Sequence, residues 1–347
     1  MWCRLQITLW RGSLSMTSPF SDPVLVAARA SAAAGVWSDV RATLERDEDG
    51  TARDGSRAIL LADACLWTGE PQKAVRWLAA AVPLLTKSGD RPALRRAINM
   101  QGAAEFALGS LATAANRFAA ALTMAQTDED TLLAARATNN LGLIAALRGD
   151  ADQAIAAYQR AIAAYQRLGN QRGLAESWHN LAISFRTRGE LDAADEAERR
   201  AIEFANAASN ARLVAMAQVG RAEISLRRGD SAWARATAVR AAATFGELPD
   251  FLLEADAWRV HADACDRLGF SHDADSSIAR ALRLAREHEH RTQEAQALQT
   301  QAQILVRRGR LMEARTVGID ARDAFSKLGS VVAAEEMTEL LVRLASG

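Results

Sequence analysis

The chain has little of what marks a secreted, membrane-embedded or nucleic-acid-binding protein. Its three cysteines, Cys3, Cys65 and Cys265, are scattered and odd in number. They frame no disulfide scaffold and fit a reducing compartment. No apolar run approaches the roughly 18 residues of a membrane span, and the apolar stretch Leu5–Trp10 is too short for a signal-peptide core. Lys+Arg and Asp+Glu both number 42, so the formal net charge is zero. That total lacks the basic excess expected of a nucleic-acid binder. Only Lys73, Lys87 and Lys327 are lysines, a bias that, with abundant alanine, fits the coding of a GC-rich bacterial genome. There is no glycine-rich phosphate loop after a strand, no HExxH and no G-x-S-x-G turn. These absences lead us to expect a cytoplasmic protein that is not an enzyme, with no cofactor, no metal, no membrane and no nucleic acid.

What is present is a period. Glycines stand at 69, 109, 149, 189, 229, 269 and 309, forty residues apart without slippage. Five residues after each comes an alanine (Ala74, Ala114, Ala154, Ala194, Ala234, Ala274, Ala314), and twelve after each another (Ala81, Ala121, Ala161, Ala201, Ala241, Ala281, Ala321). A period between about 20 and 50 residues signals a solenoid. It overrides the two or three domains that 347 residues would otherwise predict, because a solenoid grows by stacking units onto one continuous core. The clearest copy is Thr131–Asn170, two amphipathic helices joined at Gly149.

The expected fold is therefore all-α: stacked antiparallel helix pairs, one array over 22–346. Residues 1–21 are expected to be a disordered or upstream arm, with Met16 the natural start. Asp22 and Pro23 read as N-cap and first helical position. Pro23–Ala34 and Trp37–Asp47 form an irregular first pair (22–47), and Arg46–Gly55 reads as a loop. Seven regular pairs fill 56–330, and Val331–Ser346 is a terminal capping helix with Glu335, Glu336, Glu339 and Arg343 on its polar face. Arg148, Arg188, Arg228 and Arg308 precede turn glycines, placing a cation in the last turn where the helix dipole favours it. Asp150 and Asp230 follow as N-caps. Pro83 is expected to shorten or kink its helix.

These residues resemble the tetratricopeptide repeat, W-x2-L-G-x2-Y followed by A-x3-F. Trp178, Leu181 and Phe185 fill first-helix positions of one repeat, and Leu141 and Gly142 of another. Ala154, Tyr158 and Ala161, and Ala114, Phe118 and Ala121, supply second helices. The period is forty rather than the usual 34 or so, and the closing proline is absent. That is similar to the longer variety seen in scaffold proteins and bacterial regulator regions. The resemblance implies a right-handed superhelix whose first helices line a concave groove used to bind peptides or protein segments.

It also implies where the groove residues lie: about 13, 10, 9 and 6 positions before each turn glycine. Within the central repeats these are Arg96, Asn99, Met100 and Ala103, then Arg136, Asn139, Asn140 and Leu143, then Glu176, His179, Asn180 and Ile183. Asparagine carries both donor and acceptor and can pair with a ligand backbone, arginine offers a fork for carboxylate or phosphate, and Leu143 and Ile183 give apolar contact. The alternative is that these are ordinary helix residues bonding between repeats. A lysine-dependent clamp for a C-terminal carboxylate is not expected, since no lysine lies between Lys87 and Lys327. His261 and Cys265, four apart with His272 and Asp273 following, have the spacing of metal ligands, but they occupy motif positions that belong to the core. His288 and His290 read as a solvated helix end. The expected function is a protein-interaction scaffold or adaptor holding a peptide or protein segment. A regulatory or sensor module acting on a separately encoded partner is the alternative, and self-association through an end repeat a third reading.

Overall fold

A computed structural model describes residues 22–346 apart from Pro249 and Glu289; the expected N-terminal arm lies outside the described residues. The chain forms helices joined by short turns and divides into two compact units, with the boundary after Ile144. The first contains α1 (Pro23–Ala33), α2 (Trp37–Glu45), α3 (Glu48–Arg53), α4 (Gly55–Trp67), α5 (Pro71–Ser88), α6 (Arg91–Ala107), α7 (Leu111–Thr127) and most of α8 (Thr131–Leu147). The second begins within α8 and continues through α9 (Ala151–Arg167), α10 (Gln171–Thr187), α11 (Leu191–Ala207), α12 (Ala211–Arg228) and α13 (Ser231–Glu247). It ends with α14 (Phe251–Arg267), α15 (Ser271–Glu287), α16 (Arg291–Arg307), α17 (Leu311–Lys327) and α18 (Val331–Ser346).

Within each unit the helices pack as pairs of a solenoid. A first helix lies against its own second helix, as α4 on α5, α10 on α11 and α14 on α15, and also against the next first helix, as α4 on α6, α10 on α12 and α12 on α14. The periodic alanines make this possible. All fourteen are at most 1% exposed, and a methyl side chain lets two backbones approach without leaving a void. The larger core residues fill the spaces between: Leu61, Leu78 and Met100 in the first unit, Met216, Val260 and Phe245 in the second.

The turns repeat as closely. Each glycine of the forty-residue series has positive φ, from 73° at Gly309 to 89° at Gly229, the left-handed conformation that ends a helix. Asp150 and Asp230 cap α9 and α13 through the N–H groups of Gln153 and Trp233, and Asp22 caps α1 ahead of Pro23. A further series was not anticipated. Asp90, Asp130, Asn170, Asn210 and Asp250 cap successive first helices, each side chain accepting from the N–H three residues on at 2.8–3.2 Å. Such a cap contributes about 1 kcal/mol.

The arginines before the turn glycines do more than answer the helix dipole. Arg188 reaches Asp152, 36 residues earlier, at 2.7 Å. Arg228 reaches Asp192 at the same offset, and Arg308 bonds Asp266 and Asp275 at 2.6 and 2.7 Å. One position earlier, Arg227 and Arg267 donate to the carbonyls of Arg186 and Leu226, 41 residues back, adding a side-chain donor at the ends of the preceding first helices.

Two expectations are corrected. The stretch 46–55 is not simply a loop: it holds α3, nucleated by Asp47 accepting from Gly50 N–H and anchored by buried Thr51, whose hydroxyl donates to the Leu44 carbonyl at 3.0 Å. Pro83 does not shorten α5, which runs on to Ser88. Both Pro83 and Ala79, whose carbonyl loses its helical donor, are on the exposed side, so water can satisfy what the proline frees.

Among the described residues, second helices also end in left-handed residues in one forty-residue register, at Gly89, Gly169 and Gly329 and at two residues that are not glycine, Glu129 (φ 56°) and Ser209 (φ 49°). Glu129→Gly and Ser209→Gly are each expected to raise stability by about 0.5–1 kcal/mol, the relieved left-handed cost less the added freedom of the unfolded chain. Gly102→Ala should act oppositely, losing about 1–3 kcal/mol, because its Cβ would lie 2.6 Å from the Phe118 ring. Urea-denaturation profiles of the three variants check the signs.

Candidate functional site

The ten residues expected to line a groove do not form an open lining. Nine are buried and Arg96 is half-buried. The reason is the close stacking of consecutive first helices, which encloses the side chains directed between them.

In the first unit, Arg96 donates to Asp63 Oδ2 of α4 at 3.1 Å. Burial pulls its guanidinium pKa below the usual value, Asp63 opposes this, and the nearby cations Arg136 and Arg29 add to the depression. Asn99 is buried, and its carbonyl oxygen has no partner among the described residues. Arg136, Asn139 and Asn140 are engaged by polar or electrostatic contacts within the fold, and Leu143 is core.

In the second unit, Glu176 Oε1 accepts from Arg172 at 2.8 Å while its Oε2 is buried without a partner. His179 Nδ1 donates to Glu198 Oε2 at 2.9 Å, both side chains fully enclosed. Asn180 is engaged elsewhere in the fold, and Ile183 is core. Glu198 is the surprise. Its register position holds Leu78, Phe118, Tyr158, Ala238, Ile278 and Gly318 in the other repeats, so a carboxylate stands where the motif wants an apolar or aromatic group. Gly220 packs so close to it that a Cβ there would collide with Glu198 Oε1. His179 Nε2 and Glu198 Oε1 have no partner among the described residues.

Beside this pair runs a ladder of charges on successive first helices. Arg186 of α10 meets Glu223 of α12 at 2.8 Å; Glu223 also meets Arg259 of α14, which reaches Asp256 at 2.6 Å. Burial works against the Arg259 charge, but Asp256 and Glu223 outweigh it and hold its pKa well above the ordinary value.

The groove register reappears, open, at the far end of the second unit. Extending the forty-residue count one step beyond Gly309 places Glu336, Glu339, Leu340 and Arg343 of α18 at 13, 10, 9 and 6 positions before 349. With Gln299, Gln303 and Met337 they line a cleft of about 280 Å³. These residues were missed because we carried the register only across the central repeats; counting it through to α18 would have found them.

His261 and Cys265 are core residues. His261 Nδ1 lies 2.8 Å from Ser277 Oγ, and the Cys265 sulfur is 3.6 Å from the imidazole. Among the described residues no group of three His, Cys, Asp or Glu side chains is gathered to hold a metal; His272 is exposed. His288 stacks on Phe251 with ring centroids 3.8 Å apart. No helix among the described residues is long and apolar enough to cross a membrane.

Residues 133–207 match the tetratricopeptide repeat family. That stretch consists of tetratricopeptide repeats. No curated relative matches the chain. Among solved structures, the chain is similar to a Rap protein complexed with Competence and Sporulation Factor, with 15% identity over 93% of this chain and 94% of that one and a TM-score of 0.63. It is also similar to the apo form of the quorum sensor NprR from B. thuringiensis (14% identity, 93% and 97% covered, TM-score 0.52). A third likeness is to aspartyl phosphate phosphatase F from Bacillus subtilis (12% identity, 95% and 96% covered, TM-score 0.54). At these identities the likeness is one of fold.

The histidine of the core sets a pH response. Burial, with Arg235 adding, lowers the His261 pKa below 6.5, against a smaller opposing pull from Asp273. The unfolded chain then binds the proton more tightly than the folded one, so this contribution is complete above pH 6.5 and is lost as pH falls towards the folded pKa. Burial and His288 lower His290 in the same direction. Thermal midpoints of the wild type are expected to fall between pH 7.5 and 5.5, and to fall less in His261→Leu.

Proposed function

We propose that this protein is an adaptor or regulator that takes up a peptide or protein segment on the first-helix face of its repeats, and that it is not an enzyme. One observation carries the reading. Buried polar atoms on the first helices, Asn99 Oδ1 in one unit and Glu176 Oε2 and His179 Nε2 in the other, have no partner among the described residues. Each such atom costs about 1–3 kcal/mol while the first helices stay closed over it, and a segment that parts them and bonds to it would offset that cost. The residues with the spacing of a metal or nucleophile site, His261 and Cys265, are instead spent on packing, and burial pushes the Cys265 thiol pKa up, away from the reactive thiolate.

A regulatory role has separate support. Near-complete coverage relates this chain to a Rap protein solved with Competence and Sporulation Factor and to a protein described as a quorum sensor. The same fold also carries a protein named as a phosphatase, so the side chains above, rather than the fold, favour binding over catalysis.

The test is photo-crosslinking in native lysate. A benzoylphenylalanine replacing Trp178, a half-buried aromatic beside His179, is expected to capture a partner segment identified by mass spectrometry. The same group replacing Ile319, exposed on second helix α17, is expected to capture none. Capture from 319 alone, or none from 178 in a correctly folded protein, would overturn the reading.

A further inference from the structure

The cleft between α16 and α18 has a composition that says what it would hold, an inference that rests on the first-helix face being the ligand face. Gln299 and Gln303 stand one turn apart on one wall. Glu336, Glu339 and Arg343 form the other, with half-buried Leu340 supplying apolar surface above Met337, which is itself buried. Gln299 donates to Glu336 Oε2 at 3.2 Å, which leaves the second carboxylate oxygen of Glu336 and the whole Gln303 amide for other partners.

The carboxylates of this wall differ from those upstream in what neutralises them. On the preceding first helices every groove-side acid has its own arginine: Glu223 has Arg186 and Arg259, Asp256 has Arg259, and Asp263 has Arg267 and Arg307. Glu336 and Glu339 stand in the same series of positions, yet neither makes an ion pair to Arg343 or to any other cation among the described residues. Along α18 three glutamates face a single arginine. Arg343, the cation this wall does carry, is paired with neither carboxylate.

We propose that this cleft binds an extended protein segment carrying an arginine or lysine beside an apolar residue. The cation sits between Glu336 and Glu339, the apolar side chain rests on Leu340, and the Gln303 amide takes the segment's backbone. Attraction between exposed charges is screened beyond about 8–10 Å at physiological salt, so the site reads its ligand at contact range.

The probe is a positional-scanning set of dye-labelled nonapeptides, each position fixed in turn as arginine, lysine, leucine, serine or glutamate, measured by fluorescence polarisation against the full chain. The wild type is expected to select arginine or lysine adjacent to leucine. The charge-removing double variant Glu336→Gln/Glu339→Gln should bind the selected peptide about fivefold more weakly, as for two exposed ion pairs, with the thermal midpoint unchanged. Binding without basic preference, or basic preference undiminished in the double variant, would overturn the cationic cleft while leaving the peptide-binding reading intact. Failure of every peptide with both proteins would count against the two together. A concentration-dependent dimer dissolved by the double variant would place a second copy of this chain in the cleft, and would overturn the proposal as well.

Discussion

The structure depends on how closely two helix backbones can approach. Each of the fourteen periodic alanines lies at such a contact, and each is essentially inaccessible. A methyl side chain lets the backbones come close there without leaving a void, and the rest of the design follows. With first helices stacked this tightly, side chains on the faces between them are enclosed, and polar ones must find partners within the array. The Arg186–Glu223–Arg259–Asp256 ladder is one solution. The His179–Glu198 pair, sealed over by Gly220, is another. A buried ion pair is not by itself a source of stability, since the desolvation of both charges opposes their attraction. Its strength is orientation: removing either partner would strand the other.

That enclosure also governs where a ligand can be met. Positions expected to line a groove are interior here, and among the described residues it is at α16 and α18 that the same register carries exposed side chains. The contrast lies in neighbours rather than residue type. Gln299 and Glu339 sit at the same register position as His179 and Asn139, and among the described residues α18 has no further first helix stacked beyond it.

Much of the fold was legible because its signals are local or strictly periodic. Gly149, Asp150 and Ala154 fix a turn, a cap and a contact from sequence spacing alone, and α18 falls on its expected bounds, Val331–Ser346. What sequence did not show was distance across the fold. Arg188 is visibly a helix-end cation, but nothing nearby in the chain says that Asp152 waits 36 residues back. Asn139 and Asn140 have the chemistry of a ligand face, and only the spacing between first helices reveals that they are enclosed. Glu198 was passed over because a charged residue on a second helix reads as solvent-facing unless its register is compared, repeat by repeat, with Phe118 and Tyr158. The short helix after residue 47 escaped for a different reason: it is held by Thr51 and Asp47 contacts rather than by any apolar period.

The cross-repeat arginines carry a consequence for how such a chain can change in length. Arg188 with Asp152 and Arg228 with Asp192 share one offset, and Arg227 and Arg267 share another in reaching back to helix-end carbonyls. The carbonyls that Arg227 and Arg267 reach have counterparts in every copy, whereas the aspartate recurs at 152 and 192 and is replaced by Ala112, Ala232 and His272 in neighbouring copies. Excising or duplicating a whole forty-residue block therefore keeps donors and backbone acceptors in phase with the adjoining copy. A gain or loss of any other length throws donors and acceptors out of phase across the join. Length in this protein is quantised, and the unit of exchange is the repeat.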